Sequence, residues 1–223
     1  MSKKLSEKAA RKAVIETALI MSRKGLSPGR SGNVSCRFKD GMLITPSGKN
    51  YEDTAVEDIV FVEGNGGVPA KQLKPSSEWR FHQAVYQARA GCQGIVHTHS
   101  RHATILACTG QPIPAFHYMV AVAGGKDIPC VPYATFGTKE LASYVAGGLA
   151  NRDACLMASH GQIAIGETLA AALELAFEVE TLSEQYFKVL LLGAAGLKPA
   201  ILSDAHMAEM VEKFKSYGQK GQE

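Results

Sequence analysis

The alternation of apolar and polar positions divides the chain into short strands and helices with few long gaps. Over residues 5–24, Leu5, Ala9, Ile15, Ala18 and Leu19 recur at helical spacing and Gly25 ends the run, which predicts an amphipathic helix. A turn-rich loop, LSPGRSGN, leads into a strand predicted at 33–38. Asp40-Gly41 then turns the chain into a second strand at 42–45, so the two form a hairpin. TPSG (45–48) reads as a turn, and the apolar run at 59–62 as a short buried strand closed by EGNGG. From Pro75 to Ala90 a helix is predicted, with Phe81, Ala84, Val85 and Ala88 at i, i+3, i+4 and i+7 and a start signal in Pro75 and Ser76.

A strand ending in GIVHTHS follows, then a short helix from Ser100 to about Thr109. QPIPAFHYMVAVAGG carries no regular pattern. Thr138 opens a helix ending near Leu149, and residues 155–157 and 162–165 form a strand pair around SHG. A long helix covers 168–192, and a last one, 203–217, places Met207, Met210, Val211 and Phe214 on one face. No repeat and no linker divides the chain. The expectation is a single domain over 1–223, of the α/β class in its α+β-like form: a mostly antiparallel sheet covered by helices on both faces.

Composition narrows the function without defining it. With 46% hydrophobic residues in 223, there is ample material for a core, and no apolar stretch is long enough to span a bilayer. The N-terminal residues mix acids and bases at helical spacing and lack the apolar run of a signal peptide. Five cysteines (36, 92, 108, 130 and 155) form no Cys-x-x-Cys pair, and their number is odd. Free thiols in a reducing cytoplasm are expected, buried as small apolar residues. A net charge of +3 with scattered Lys and Arg gives no nucleic-acid surface, but suits a small anionic ligand.

The chemistry concentrates in a few segments. Strand side chains alternate faces, so His97 and His99 point the same way, about 6 to 7 Å apart along the strand. They are either two separately hydrogen-bonded histidines or half of a metal site. His160, on a turn after an apolar strand, could cap a carbonyl or complete such a site. Glu78 stands in the first turn of the helix that leads to the histidine strand, as a further ligand or as a partner of the helix dipole. Ser76 and Ser77 beside it, SGN at 31–33 and PSG at 46–48 are donor-bearing turns. Such turns can cradle a phosphate or simply reverse the chain.

In their order and spacing, GNVSCRFKDGMLITPSG, KPSSEWRFH, VHTHS, IPAFHYMVAVAGG, PYATFGTKEL, SHG and VEKFKSYG resemble the class II aldolase/adducin family. The resemblance covers nearly the whole chain, and HYMVA with the tail FKSYG points to the aldolase branch. It implies one Zn2+ per subunit held by His97, His99, His160 and Glu78, with Glu78 also the catalytic acid/base. Gly32, Asn33, Ser47, Gly48, Ser76 and Ser77 fall on phosphate-binding positions. Tyr118 matches a catalytic tyrosine donated by a neighbouring subunit, and Tyr217 one on a C-terminal tail (about 203–223) that closes over substrate. A homotetramer with active sites between subunits is implied. So is reversible cleavage of L-fuculose 1-phosphate, or of a similar 5-deoxyketose 1-phosphate such as the 5-deoxyribulose or 5-methylthioribulose compound, to dihydroxyacetone phosphate and an aldehyde. Relatives that act as ribulose-phosphate 4-epimerases carry aspartate at the position of Glu78. The methylthioribulose-phosphate dehydratases lack the tail, and the non-catalytic adducin head lacks the metal ligands. His82, His102, His117 and His206 match no catalytic position, and Trp79 and Phe81 read as core.

Overall fold

In the computed structural model, which describes residues 6–216, the first helix, α1, spans Glu7–Arg23. Ser6 caps it by accepting from the Ala9 amide, and Ala10, Val14, Ile15, Ala18 and Met21 form its buried stripe. The hairpin follows as β1 (Asn33–Phe38) and β2 (Gly41–Ile44), with β3 at Val60–Val62. Next come α2 (Trp79–Ala88), the histidine strand β4 (Gly94–Thr98) and α3 (Arg101–Ala107). Then β5 (Cys130–Val131), α4 (Lys139–Gly148), β6 (Ala154–Met157), β7 (Gly161–Gly166), α5 (Leu169–Gly193) and α6 (Asp204–Ser216) complete the order.

The seven strands lie in the order β3-β2-β1-β4-β7-β6-β5. Every pairing is antiparallel except β5 with β6. The sheet's two faces feed two separate cores, as strand alternation requires. Val34, Leu43, Val96, Leu156 and Ala164 pack with α1, α3 and α5 on one face. Ile44, Ile95, Cys155, Ile163 and Ile165 pack with α2 and α4 on the other. The mostly antiparallel sheet between helix layers is therefore borne out.

Four local readings need correction. Helix α2 starts at Trp79 rather than Pro75, because Ser76 N–H donates to the Thr45 carbonyl and Pro46 and Pro75 form a bridge. Residues 74–76 are thereby paired with 45–47, and 77–78 turn into the helix. The irregular stretch around Tyr118 contains a 3-10 turn, Tyr118–Ala123, ended by Gly124 in the left-handed region. The two-residue strand β5 is too short to leave a pattern. Cys36, Cys92 and Cys155 are buried as expected, whereas Cys108 is exposed and Cys130 half-buried.

Candidate active site and metal centre

The centre of β4 carries His97 onto the face occupied by α2, where Phe81 packs edge-on against its ring. His99 leaves the strand end on the same face, and the turn between β6 and β7 delivers His160. Glu78, the N-cap of α2, brings a carboxylate from the third side. One ligand atom from each of the four lies within 4.8 Å of all the others. The predicted quartet is thus one cluster, and of its members His97 and Glu78 are buried.

The donor set fits a divalent cation. His97 Nδ1–H donates to the Gln162 carbonyl at 2.8 Å, which leaves the Nε2 lone pair facing the cluster. That nitrogen stands 3.1 Å from His99 Nε2 and 3.2 Å from Glu78 Oε2. Glu78 Oε1 lies 3.1 Å from His160 Nε2, yet it is buried without a hydrogen-bond partner. An orphaned carboxylate oxygen costs free energy unless something else satisfies it. A cation between these atoms would do so. Burial alone would raise the Glu78 carboxyl, but its electrostatic interactions with His97 and His160 hold it well below the usual carboxylate range. Burial, the largest cause, pushes His99 down to about 3. An anionic oxygen and neutral imidazole nitrogen are the forms that bind metal.

Beside the cluster opens a cleft of about 390 Å³ where three turns meet. Its lining includes Gly32 and Asn33, Ser47 and Gly48, and Ser76 and Ser77, so all six predicted phosphate-binding residues are brought together. Gly32 and Gly48 both have positive φ, +80° and +70°, a conformation glycine adopts without strain. The hydroxyl of Tyr51 pins the first turn by donating to the Gly32 carbonyl at 2.7 Å. Asn33 does more than line the cleft: its Nδ2 donates to Glu78 Oε2 at 2.9 Å.

Tyr118 is not part of this cleft. It is 47% exposed and stacks against Phe214 of α6. No residue of α6 lines the cleft either, and Tyr217 lies outside the described residues.

Sequence reasoning missed several residues. Arg30, one position before SGN, is the lone Arg or Lys lining the cleft among the described residues, and its Nη1 donates to the Gly48 carbonyl. A basic residue flanking a glycine turn was the available signal. Tyr133 and Phe136 form an exposed aromatic rim, and Ser159, with φ of +55°, also lines the cleft. His82 lies one helical turn beyond Glu78, and that spacing was legible. It is fully buried and bonded to Asn33 and Ser35, and burial lowers it to about 3, so its ring is neutral. His102, which matches no catalytic position, pairs with Glu180 of α5 at 2.9 Å.

Residues 12–187 match the family model described as the Class II Aldolase and Adducin N-terminal domain. The L-fuculose phosphate aldolase of Escherichia coli O6:H1 is 50% identical over 205 residues, covering 92% of this chain and 94% of the relative. A 5-methylthioribulose-1-phosphate/5-deoxyribulose-1-phosphate aldolase of Rhodospirillum rubrum is 48% identical, covering 96% and 95%. A solved structure of an L-fuculose 1-phosphate aldolase superposes with a TM-score of 0.87 at 38% identity, covering 96% of this chain and all of that one. With near-complete coverage in sequence and fold, and with the Glu/His cluster in place, the chain belongs to the class II aldolase and adducin family, as an aldehyde-lyase within it.

Proposed function

We propose that this protein is a zinc-dependent aldolase that reversibly cleaves the C3–C4 bond of a ketose 1-phosphate. The products are dihydroxyacetone phosphate and an aldehyde. L-Fuculose 1-phosphate is the first-choice substrate, with 5-deoxyribulose and 5-methylthioribulose 1-phosphates as the close alternatives. The observation that carries the reading is the meeting of Glu78, His97, His99 and His160 at the edge of a cleft built from three donor-rich turns.

Zinc held by these four residues would supply a Lewis acid that stabilises the negative charge developing as the bond breaks. Three neutral imidazoles and one carboxylate leave its positive charge largely unquenched, and the carboxylate is the ligand that substrate can displace. Cleavage leaves the bonding electron pair at C3, and Glu78 delivers a proton there. In the condensation direction Glu78 removes that proton. Tyr118, reaching in from a neighbouring subunit of a homotetramer, takes the proton of the C4 hydroxyl as the aldehyde forms and passes its own to solvent, from which Glu78 gains the proton it delivers. Tyr217 on the C-terminal tail closes the same site.

The phosphate takes no part in bond making. Held by the turns of Gly32, Asn33, Ser47, Gly48, Ser76 and Ser77, with the Arg30 guanidinium beside them, it anchors the reacting carbons over the cluster. The sugar's far end faces the rim of Tyr133 and Phe136, an apolar surface suited to a deoxygenated terminus. Among the described residues no helix is long and apolar enough to cross a membrane, and a small phosphorylated substrate fits a cytoplasmic enzyme.

The test is incubation of the metal-replete protein with the three ketose 1-phosphates, following dihydroxyacetone phosphate. An aldolase releases it from at least one of them. Loss of water with no such release would indicate a dehydratase, and inversion at C4 an epimerase.

A further inference from the structure

From Glu78 a chain of buried hydrogen bonds runs between β1 and α2. Asn33 Nδ2 donates to Glu78 Oε2, and Asn33 Oδ1 is bonded to His82 Nε2. His82 Nδ1 is 2.7 Å from Ser35 Oγ, which is 2.9 Å from the Tyr86 hydroxyl; the Tyr86 hydroxyl donates to the Ser35 carbonyl. His82 and Ser35 have no exposed surface, and Asn33 and Tyr86 are buried.

Donor and acceptor chemistry gives this chain one direction. An ionised carboxylate only accepts, so the Asn33 amide must turn its NH2 toward Glu78 and its oxygen toward His82. His82 must then carry its proton on Nε2. Its Nδ1 becomes an acceptor, filled by the Ser35 hydroxyl, while the single Tyr86 hydroxyl proton goes to the Ser35 carbonyl and holds that residue in place. If the imidazole proton moved to Nδ1, the amide would have to flip. Its oxygen would then face the carboxylate oxygen, acceptor against acceptor.

We propose that His82 is a positioning residue for the reaction: its Nε2–H, aimed by Ser35 and Tyr86, locks the Asn33 amide. Locked in this way, Asn33 holds the Glu78 carboxylate in the orientation from which it works, while lining the phosphate end of the cleft. One amide thus ties the phosphate turn to the acid/base. The proposal rests on the aldolase reading for its catalytic consequence only.

Two arms test it. The first uses no substrate: nitrogen-15 NMR of histidine-labelled protein should show His82 protonated on Nε2 and bare on Nδ1. The Asn33 side-chain amide signals should shift in His82→Leu. The reverse tautomer, or an amide indifferent to His82, overturns the proposal. The second arm is kinetic. His82→Leu should lower kcat of the folded, metal-loaded enzyme by ~10- to 100-fold, as loss of an oriented hydrogen bond to a charged group implies. His82→Gln, whose amide can restore a donor near the Nε2 position, should recover much of that. In an Asn33→Ala background, His82→Leu should cost almost nothing further. An equal loss in both backgrounds, or a lower melting temperature with kcat unchanged, would make His82 merely structural and sink the idea. Should His82→Leu fail to fold, the tautomer and His82→Gln still decide. Absence of aldolase activity in the wild type overturns the functional reading, whereas the tautomer is read independently of it.

Discussion

Two glycines of the phosphate turns, both with positive φ, should respond very differently to the same substitution. A Cβ at Gly48 would meet nothing within 4 Å, so Gly48→Ala carries only the left-handed backbone cost, ~1–2 kcal/mol. A Cβ at Gly32 would run into Ser27 Oγ and stand 2.7 Å from the His97 carbonyl oxygen. The serine hydroxyl can rotate. The carbonyl cannot, because His97 lies in β4 between β1 and β7. Gly32→Ala therefore adds an overpacking penalty of ~1–3 kcal/mol to the shared backbone cost. Relief would come from moving the turn or the backbone of a cluster histidine. Urea unfolding of both variants should place Gly32→Ala clearly below Gly48→Ala, and only Gly32→Ala should also lose metal affinity. Equal destabilisation, or a Gly32→Ala protein that binds metal like the wild type, would refute the claim that this glycine lets two parts of the site approach.

Other expectations concern the residues of the reaction. Glu78→Gln should retain much of the metal through the three histidines but lose ~10²- to 10⁴-fold in turnover, the usual contribution of a general acid/base; near-normal turnover would place the proton carrier elsewhere. Arg30→Gln should raise KM by ~10-fold with kcat little changed and flatten the dependence of KM on salt, because the arginine contributes charge at an exposed edge. An unchanged KM would mean that neutral donors hold the phosphate alone. If Tyr118 acts in trans, mixing Tyr118→Phe chains with His97→Ala chains should give more activity than the two variants separately, since some sites combine an intact cluster with an intact tyrosine. Thorough mixing, verified by native mass, with no such gain would rule that out.

Much of this site was legible because its residues obey local rules. Strand alternation placed His97 and His99 on one face, and the structure keeps them there. Helix caps and the Asp40-Gly41 turn also read correctly, as Thr138 and Thr168 capping α4 and α5 illustrate. What failed depends on contacts between distant segments. The start of α2 shifts by four residues because 74–76 pairs with 45–47, a partner 27 or more residues away that no local window sees. Asn33 was assigned to phosphate alone, since its bond to Glu78 spans 45 positions of sequence. His82 was set aside although it stands four residues after Glu78 on the same helix. Its meaning emerges only when β1 supplies Asn33 and Ser35 on either side of the ring.

The central claim is that Glu78, His97, His99 and His160 hold one metal ion per chain. Elemental analysis of the purified protein measures this directly, compared with His97→Ala under the same conditions and with circular dichroism as a check on folding. The expected result is one zinc per chain in the wild type, and none in a His97→Ala protein that is still folded. A folded His97→Ala protein with a full complement of metal, or a wild-type protein that takes up none from excess zinc, would contradict the account.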